Sequence, residues 1–226
     1  MNAGKGNDPE GGPLGRLPSG RHGLSREFVV RNQRDRLTAG MIRAVAENGY
    51  HEATISQITE AAGVSRRTFY TYFNSKEECF FDTYEIIAEG LRELARDAAS
   101  KESDWPAQAR VRVATTLQFF ASNPDLARFC LIVPARAGDK IAARFQQAVK
   151  EVYDELAAGM PAKVADRAPS PAVQQSMIGG MAALVMERVE AGEGERLTAL
   201  LPDLLEIFFT PYLGREEAVK EARKGS

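Results

Sequence analysis

From Ser25 onward apolar side chains recur every three or four positions, and no stretch alternates residue by residue. That is the period of an amphipathic helix, not of a strand, so the chain is expected to be all-α. Val30, Leu37, Met41, Ala44 and Val45 fall on one face of a first helix that Gly49 ends. Thr54 and Gln57 have capping-box spacing ahead of Ile55, Ile58 and the pair Ala61/Ala62, and Gly63 supplies the left-handed residue that closes a helix. Val64 plugs the turn and Ser65 caps a second short helix, about Arg66 to Phe73, whose Phe69 and Phe73 turn inward. Two short helices crossed over a three-residue turn with Gly form a helix-turn-helix, in which the second helix enters the DNA major groove.

Ser75 and Glu78 repeat the capping-box spacing and open a long helix from Lys76 to about Ser100, with Phe80, Tyr84, Ile87, Leu91 and Leu94/Ala95 inward. Pro106 suits an early position of the next helix, which reaches about Ala121, and Asn123-Pro124 marks a turn. Further helices are expected near 125–136, 140–158, 171–191 and 195–210. The stretch Met177 to Met186 is apolar or small all round, the pattern of a helix covered on more than one side, and Gly179 and Gly180 leave room for another backbone. Residues 1–22 are glycine- and proline-rich with little apolar material, which reads as a disordered arm carrying Arg16, Arg21 and His22, with Arg26 just beyond it. The expected organisation is an arm (1–22), a three-helix head (23–74), a helical body (75–213) and a C-terminal tail (214–226).

Composition excludes several classes. At 44% hydrophobic and 27% charged the 226 residues suit a globular protein with a sizeable core. The net charge of −2 is uninformative, but residues 16–76 hold ten Lys/Arg against five Asp/Glu, so the remainder carries −7. A basic segment on an acidic body is the electrostatic footprint of a DNA-binding head. Cys79 and Cys130 fit neither a metal-ligand spacing nor a disulfide framework. The longest uncharged run, Ala168 to Met186, contains two prolines, two glutamines and two serines, and no signal peptide is indicated, so a cytoplasmic location is expected. Catalysis would need a converging nucleophile and base. The two histidines, His22 and His51, lie in or near the head, so no catalytic residue, metal or cofactor is expected.

The second short helix exposes chemistry suited to a duplex. Arg66, Arg67, Thr68 and Tyr70 are the candidates for base edges, since arginine pairs two-pronged with guanine and a threonine methyl meets that of thymine. Thr54, Ser65, Tyr72 and Lys76 flank them, with Thr54, Tyr72 and Lys76 as candidate phosphate contacts.

The run from Thr54 to Lys76 resembles the DNA-binding domain of the TetR family of bacterial transcription regulators. The matching residues are Thr54, Ile58, Ala62, Gly63, Val64, Ser65, Thr68, Tyr70, Tyr72, Phe73, Lys76 and Glu77, and weaker similarity extends over 24–50 and 200–214. Arg67 departs from the family, which often has a small residue there. The resemblance implies a homodimer that binds a palindromic operator in double-stranded DNA and is released by a small-molecule effector. It places the dimer interface on the last two long helices, at Met177, Gly180, Met181, Leu184, Leu201, Leu204, Leu205 and Phe208. It also implies an effector pocket among the middle helices, for which Phe119, Phe120, Phe129, Phe145, Met177 and Met181 are candidates, with Gln118, Gln146 and Tyr153 as polar members. A dry, fully packed body would instead indicate a ligand-independent regulator or an architectural protein.

Overall fold

The computed structural model describes residues 26–224, and the side chains from 32 onward. The expected arm, with Arg16, Arg21 and His22, lies outside the described residues, as do the side chains of Arg26 and Val30. Every regular element among the described residues is helical. The head consists of α1 (Arg26–Glu52), α2 (Ile55–Ala62) and α3 (Arg66–Tyr72). Leu37, Met41, Ile58 and Phe69 are fully buried between them.

Local sequence accounts for the geometry of the head. Thr54 accepts from the Gln57 N–H while the Gln57 side chain receives the Thr54 N–H at 2.8 Å, which completes the capping box. Gly63 ends α2 at φ 61°, ψ 36°, and Ser65 caps α3 by accepting the Thr68 N–H at 3.0 Å. One close approach has no signal in the hydrophobic pattern. A Cβ at Gly40 would lie 2.5 Å from the Ile58 carbonyl oxygen, so α1 and α2 cross at a distance that only glycine permits.

The body begins with α4 (Lys76–Ala99) and α5 (Trp105–Ser122), joined by a short loop in which Asp104 caps α5. Pro124 opens a single turn, α6 (Pro124–Ala127), and the chain continues through a π-helical turn at 128–132 and a 3-10 turn at 134–136. The single helix expected over 125–136 is therefore not continuous, and Pro134, which has no N–H to donate, falls where its last turn gives way to the 3-10 turn. Then follow α7 (Asp139–Ala157), the short α8 (Ala162–Ala165) and α9 (Pro171–Glu190). A 3-10 stretch at 194–200 precedes α10 (Leu201–Leu213), so the helix expected over 195–210 has two parts and ends later.

Trp105 anchors the body core. Its indole N–H donates to the Leu156 carbonyl at 2.8 Å, and its ring packs on Phe208, Phe209 and Tyr212 at 5.4–5.9 Å between centroids. Three expectations need correction here. The supposed C-terminal tail forms α11 (Arg215–Ala222), with Ala218 and Ala222 buried and Arg110 of α5 paired to Glu221. Small alanines in a highly charged segment give too weak a periodic signal to reveal it. Leu94 is 49% exposed, while its neighbour Ala95 takes the inward position. At the start of α4, Ser75 caps the Glu78 N–H, but the Glu78 carboxylate accepts from the Asn74 N–H at 2.7 Å, so the box closes one residue early.

Candidate nucleic-acid interface and effector cavity

On α3 the inward side chains are Phe69 and Phe73, which leaves Arg66, Arg67, Tyr70 and Thr71 on one outward face. Tyr70 is 51% exposed. Neither arginine has an ion-pair partner among the described residues, so both guanidinium groups point five donors each at solvent. Thr71 joins this face and went unremarked in the sequence because its hydroxyl, like that of many helical threonines, bonds back to the Arg67 carbonyl. Thr68 is half-buried, with its hydroxyl 2.9 Å from that of Ser65. Thr54 stays exposed at the start of α2. Tyr72 is half-buried and donates its hydroxyl to Gln33 of α1 at 2.9 Å.

Lys76 has a different role from the one expected. Its ammonium donates to three backbone carbonyls at the end of α1, those of Tyr50 (2.7 Å), His51 (3.0 Å) and Ala53 (2.8 Å), and sits 4.7 Å from the centre of the Tyr50 ring. An ammonium has three donors, and all are used. Burial lowers its pKa, opposed by the nearby Glu52 charge. Gly49 breaks α1 with a non-helical backbone (φ 75°, ψ 161°), as the sequence predicts, and Lys76, the first residue of α4, ties down the turn that follows the break. Arg36 caps the end of α2, donating Nε to the Ala62 carbonyl at 2.9 Å and Nη2 to that of Gly63. Replacing Lys76 with Met should destabilise the fold by about 1 kcal/mol or more, because two partly buried carbonyls lose their donor. Denaturant unfolding and a salt series of DNA binding check this. Unchanged stability with a shallower salt slope would return Lys76 to the phosphate contacts.

Head and body meet around α4. Tyr50 packs edge-on to Phe80 at 5.0 Å, and Phe80 stacks on Phe129 at 4.5 Å. Arg34 of α1 pairs with Asp82, and His51 Nε2 lies 2.6 Å from the Arg136 carbonyl oxygen.

Between α4, α5, α7 and α9 lies a partly enclosed cavity of about 200 Å³, below the usual range of ligand sites. Its wall is almost entirely hydrocarbon. Of the sequence candidates, Phe120, Phe145 and Met181 line it, as does Tyr153, whose hydroxyl is bonded to that of Tyr212. Phe119 and Gln118 instead face a separate groove with Leu94 and Leu201, Phe129 belongs to the aromatic stack below, Gln146 is exposed, and Met177 is off the cavity wall. Charged groups that sequence reasoning passed over gather at one end: Arg92, Arg112 and Glu155. Arg92 pairs with Glu89 and Glu151, Arg112 with Glu155 at 3.6 Å, and Arg144 with Glu85 and Glu151, tying α7 to its neighbours. In the sequence these read as ordinary solvent faces; the only hint was that Glu151 and Glu155 share a face of α7. Burial pushes the Cys130 thiol on the same wall up to about 12.

The outer side of α9 remains bare. Of its 20 residues only Val189 is buried, while Gly179, Gly180 and Ala183 are exposed, and a Cβ added at either glycine would meet nothing within 4 Å. Met177, Met181, Leu184 and Leu201 are half-buried. Leu204, Leu205 and Phe208 are not surface groups: they are 3%, 0% and 0% exposed in the single chain, because the wide apolar stripe of α10 is taken up by the core around Trp105.

Among the described residues no helix is long and apolar enough to cross a membrane, and no cluster of His, Cys, Asp or Glu could hold a metal ion. Residues 38–83 match the signature described as bacterial regulatory proteins, tetR family. An HTH-type transcriptional repressor of Mycobacterium tuberculosis is 34% identical over 107 residues, covering 42% of this chain and 55% of the relative. A fatty acid metabolism regulator protein of Bacillus subtilis is 33% identical over 61 residues, covering 26% of this chain and 31% of the relative. The chain thus spans about half the length of the first and about a third of the second. The fold resembles that of a transcriptional regulator, FadR, from Bacillus subtilis in complex with stearoyl-CoA. That likeness has a TM-score of 0.67 at 17% identity, over 80% of this chain and 98% of the other.

Proposed function

We propose that this chain is a transcription repressor of the TetR family, released from DNA by a long-chain acyl effector. The observation that carries this reading is the double duty of α4. Its first residue clamps the end of α1, and its middle turns line the apolar cavity. An effector that favours one setting of α4 therefore acts on the placement of α3. The coupling needs only different affinities for two states of the protein.

Two chains pair through the bare side of α9 with the half-buried apolar groups beside it, including Met177, Gly180, Leu184 and Leu201. Each head then presents Arg66, Arg67, Tyr70 and Thr71 to one half-site of a palindromic operator. The half-sites must lie about one DNA turn apart, roughly 34–36 Å, or a multiple of it. The hydrocarbon wall suits an alkyl chain, and a structural neighbour was solved with stearoyl-CoA. The cavity also favours this reading over a ligand-independent regulator, whose body has no reason to keep a void.

The test begins with duplexes selected by the full-length protein from a random pool. The selected sites should be two-fold symmetric, and stearoyl-CoA should weaken binding to them by about 5- to 150-fold, the usual range of allosteric coupling. Selection without symmetry refutes the paired-head arrangement; an affinity unmoved by saturating stearoyl-CoA refutes the acyl effector.

A further inference from the structure

Within the hydrocarbon wall of the cavity one cation has an incomplete set of hydrogen bonds. Arg112 of α5 lines the cavity with its side chain 17% exposed. Its Nη1 is buried and has no hydrogen-bond partner among the described residues. The neighbouring Glu155 Oε2 is 3.6 Å away, close enough for Coulomb attraction but beyond a hydrogen bond. Glu155 also faces Arg96 at 3.9 Å, and the adjacent Arg92 is taken up by Glu89 and Glu151. Arg144 shares Glu151 and pairs with Glu85, so four guanidinium groups face four carboxylates and the charge of this ion-pair network balances.

The position within the cavity matters as much as the charge. α4 and α5 run antiparallel through a short loop, so Arg92 and Arg112 stand at one level and Tyr84 and Phe120 at another. The two levels are eight residues apart along each helix, about 12 Å at the helical rise. Between them the lining is aliphatic, including Ile87, Leu91, Val113 and Leu117. The cavity is polar at one end and hydrocarbon along its length, and its polar end holds a buried donor with nothing to donate to. Such donors are rare in native structures because they are costly.

We infer that Arg112 is the residue that recognises the acyl carbonyl oxygen of the effector, and that the effector's acyl group is neutral: a thioester, ester or amide, not a free carboxylate. The inference rests on the reading of this cavity as an acyl-chain site and adds the residue and the chemical class. A plain alkyl chain leaves Nη1 unsatisfied. A free carboxylate satisfies it but brings a second anion beside Glu155 in a region with no net positive charge to receive it. A neutral carbonyl accepts the bond without that repulsion.

The experiment uses the full-length protein without DNA and two pairs of probes. Palmitoyl-CoA and its thioether analogue S-hexadecyl-CoA differ only in the carbonyl. Methyl hexadecanoate and hexadecanoate differ in the charge on the acyl group. Wild type should bind palmitoyl-CoA about 10- to 100-fold more tightly than the thioether, the range of a hydrogen bond to a charged group. Methyl hexadecanoate should bind more tightly than hexadecanoate. In Arg112→Met the two CoA compounds should bind alike. Equal binding of thioester and thioether by wild type overturns the role of Arg112, and needs no variant that might misfold. Tighter binding of hexadecanoate than of its methyl ester overturns the neutral class. A wild type that binds none of the four probes refutes the acyl-chain reading itself, and this assignment with it.

Discussion

Replacing Phe208 with alanine should lower the free energy of unfolding by about 3–5 kcal/mol, the range for removing a buried aromatic ring. Phe208 is 0% exposed, and its ring lies 5.4–5.9 Å from those of Trp105, Tyr153, Phe209 and Tyr212. Rings fixed from four sides cannot collapse into the space left, so the cavity contribution stays in full. For a chain of this length the midpoint of thermal unfolding should fall by about 6–20 °C. Circular dichroism melts at one protein concentration measure it. A loss below about 1 kcal/mol would mean that Phe208 is not a core residue and would restore it to the subunit interface.

DNA affinity should fall steeply with salt. Arg66 and Arg67 give each chain two exposed cations with no internal partner, hence four in a dimer. At about −0.9 per phosphate neutralised, log K should slope near −3.6 against log salt. Going from about 50 to about 200 mM then weakens binding by on the order of a hundredfold. Arg67→Ala should make the slope shallower by about 1.8 and relax the preference at one or two base positions. Lys76→Met should leave the slope unchanged, since that ammonium already serves three carbonyls. A slope near zero for the wild type would rule out α3 as a DNA-reading helix.

What the sequence disclosed was whatever depends on near neighbours. Thr54 finds Gln57 three residues on, Gly63 takes the left-handed turn by itself, and Phe69 and Phe73 share a face through helical geometry alone. What it concealed depends on partners far away in the chain. Lys76 looks like a surface cation until the end of α1, more than twenty residues earlier, is folded against it. Arg112 and Glu155 lie on different helices that read as solvated faces, and only their packing makes a polar end to an apolar cavity. Leu204, Leu205 and Phe208 were misplaced for a related reason. An apolar stripe shows that a helix is covered, but not whether its own chain or another does the covering.

The lysine at the start of α4 also bears on how this molecule comes apart. A head joined only by a peptide link would open and close by itself, and its amides would exchange with solvent independently of the rest. Here the turn between Gly49 and α2 is held by the first residue of α4, and the rings of Tyr50, Phe80 and Phe129 carry the contact onward into the body. Melting the head then means breaking the Lys76 bonds and exposing Phe80. The three N-terminal helices and the first turns of α4 should therefore exchange with solvent as one cooperative unit, and the proposed DNA-reading face is denied the loose, low-cost fluctuations common to small peripheral domains.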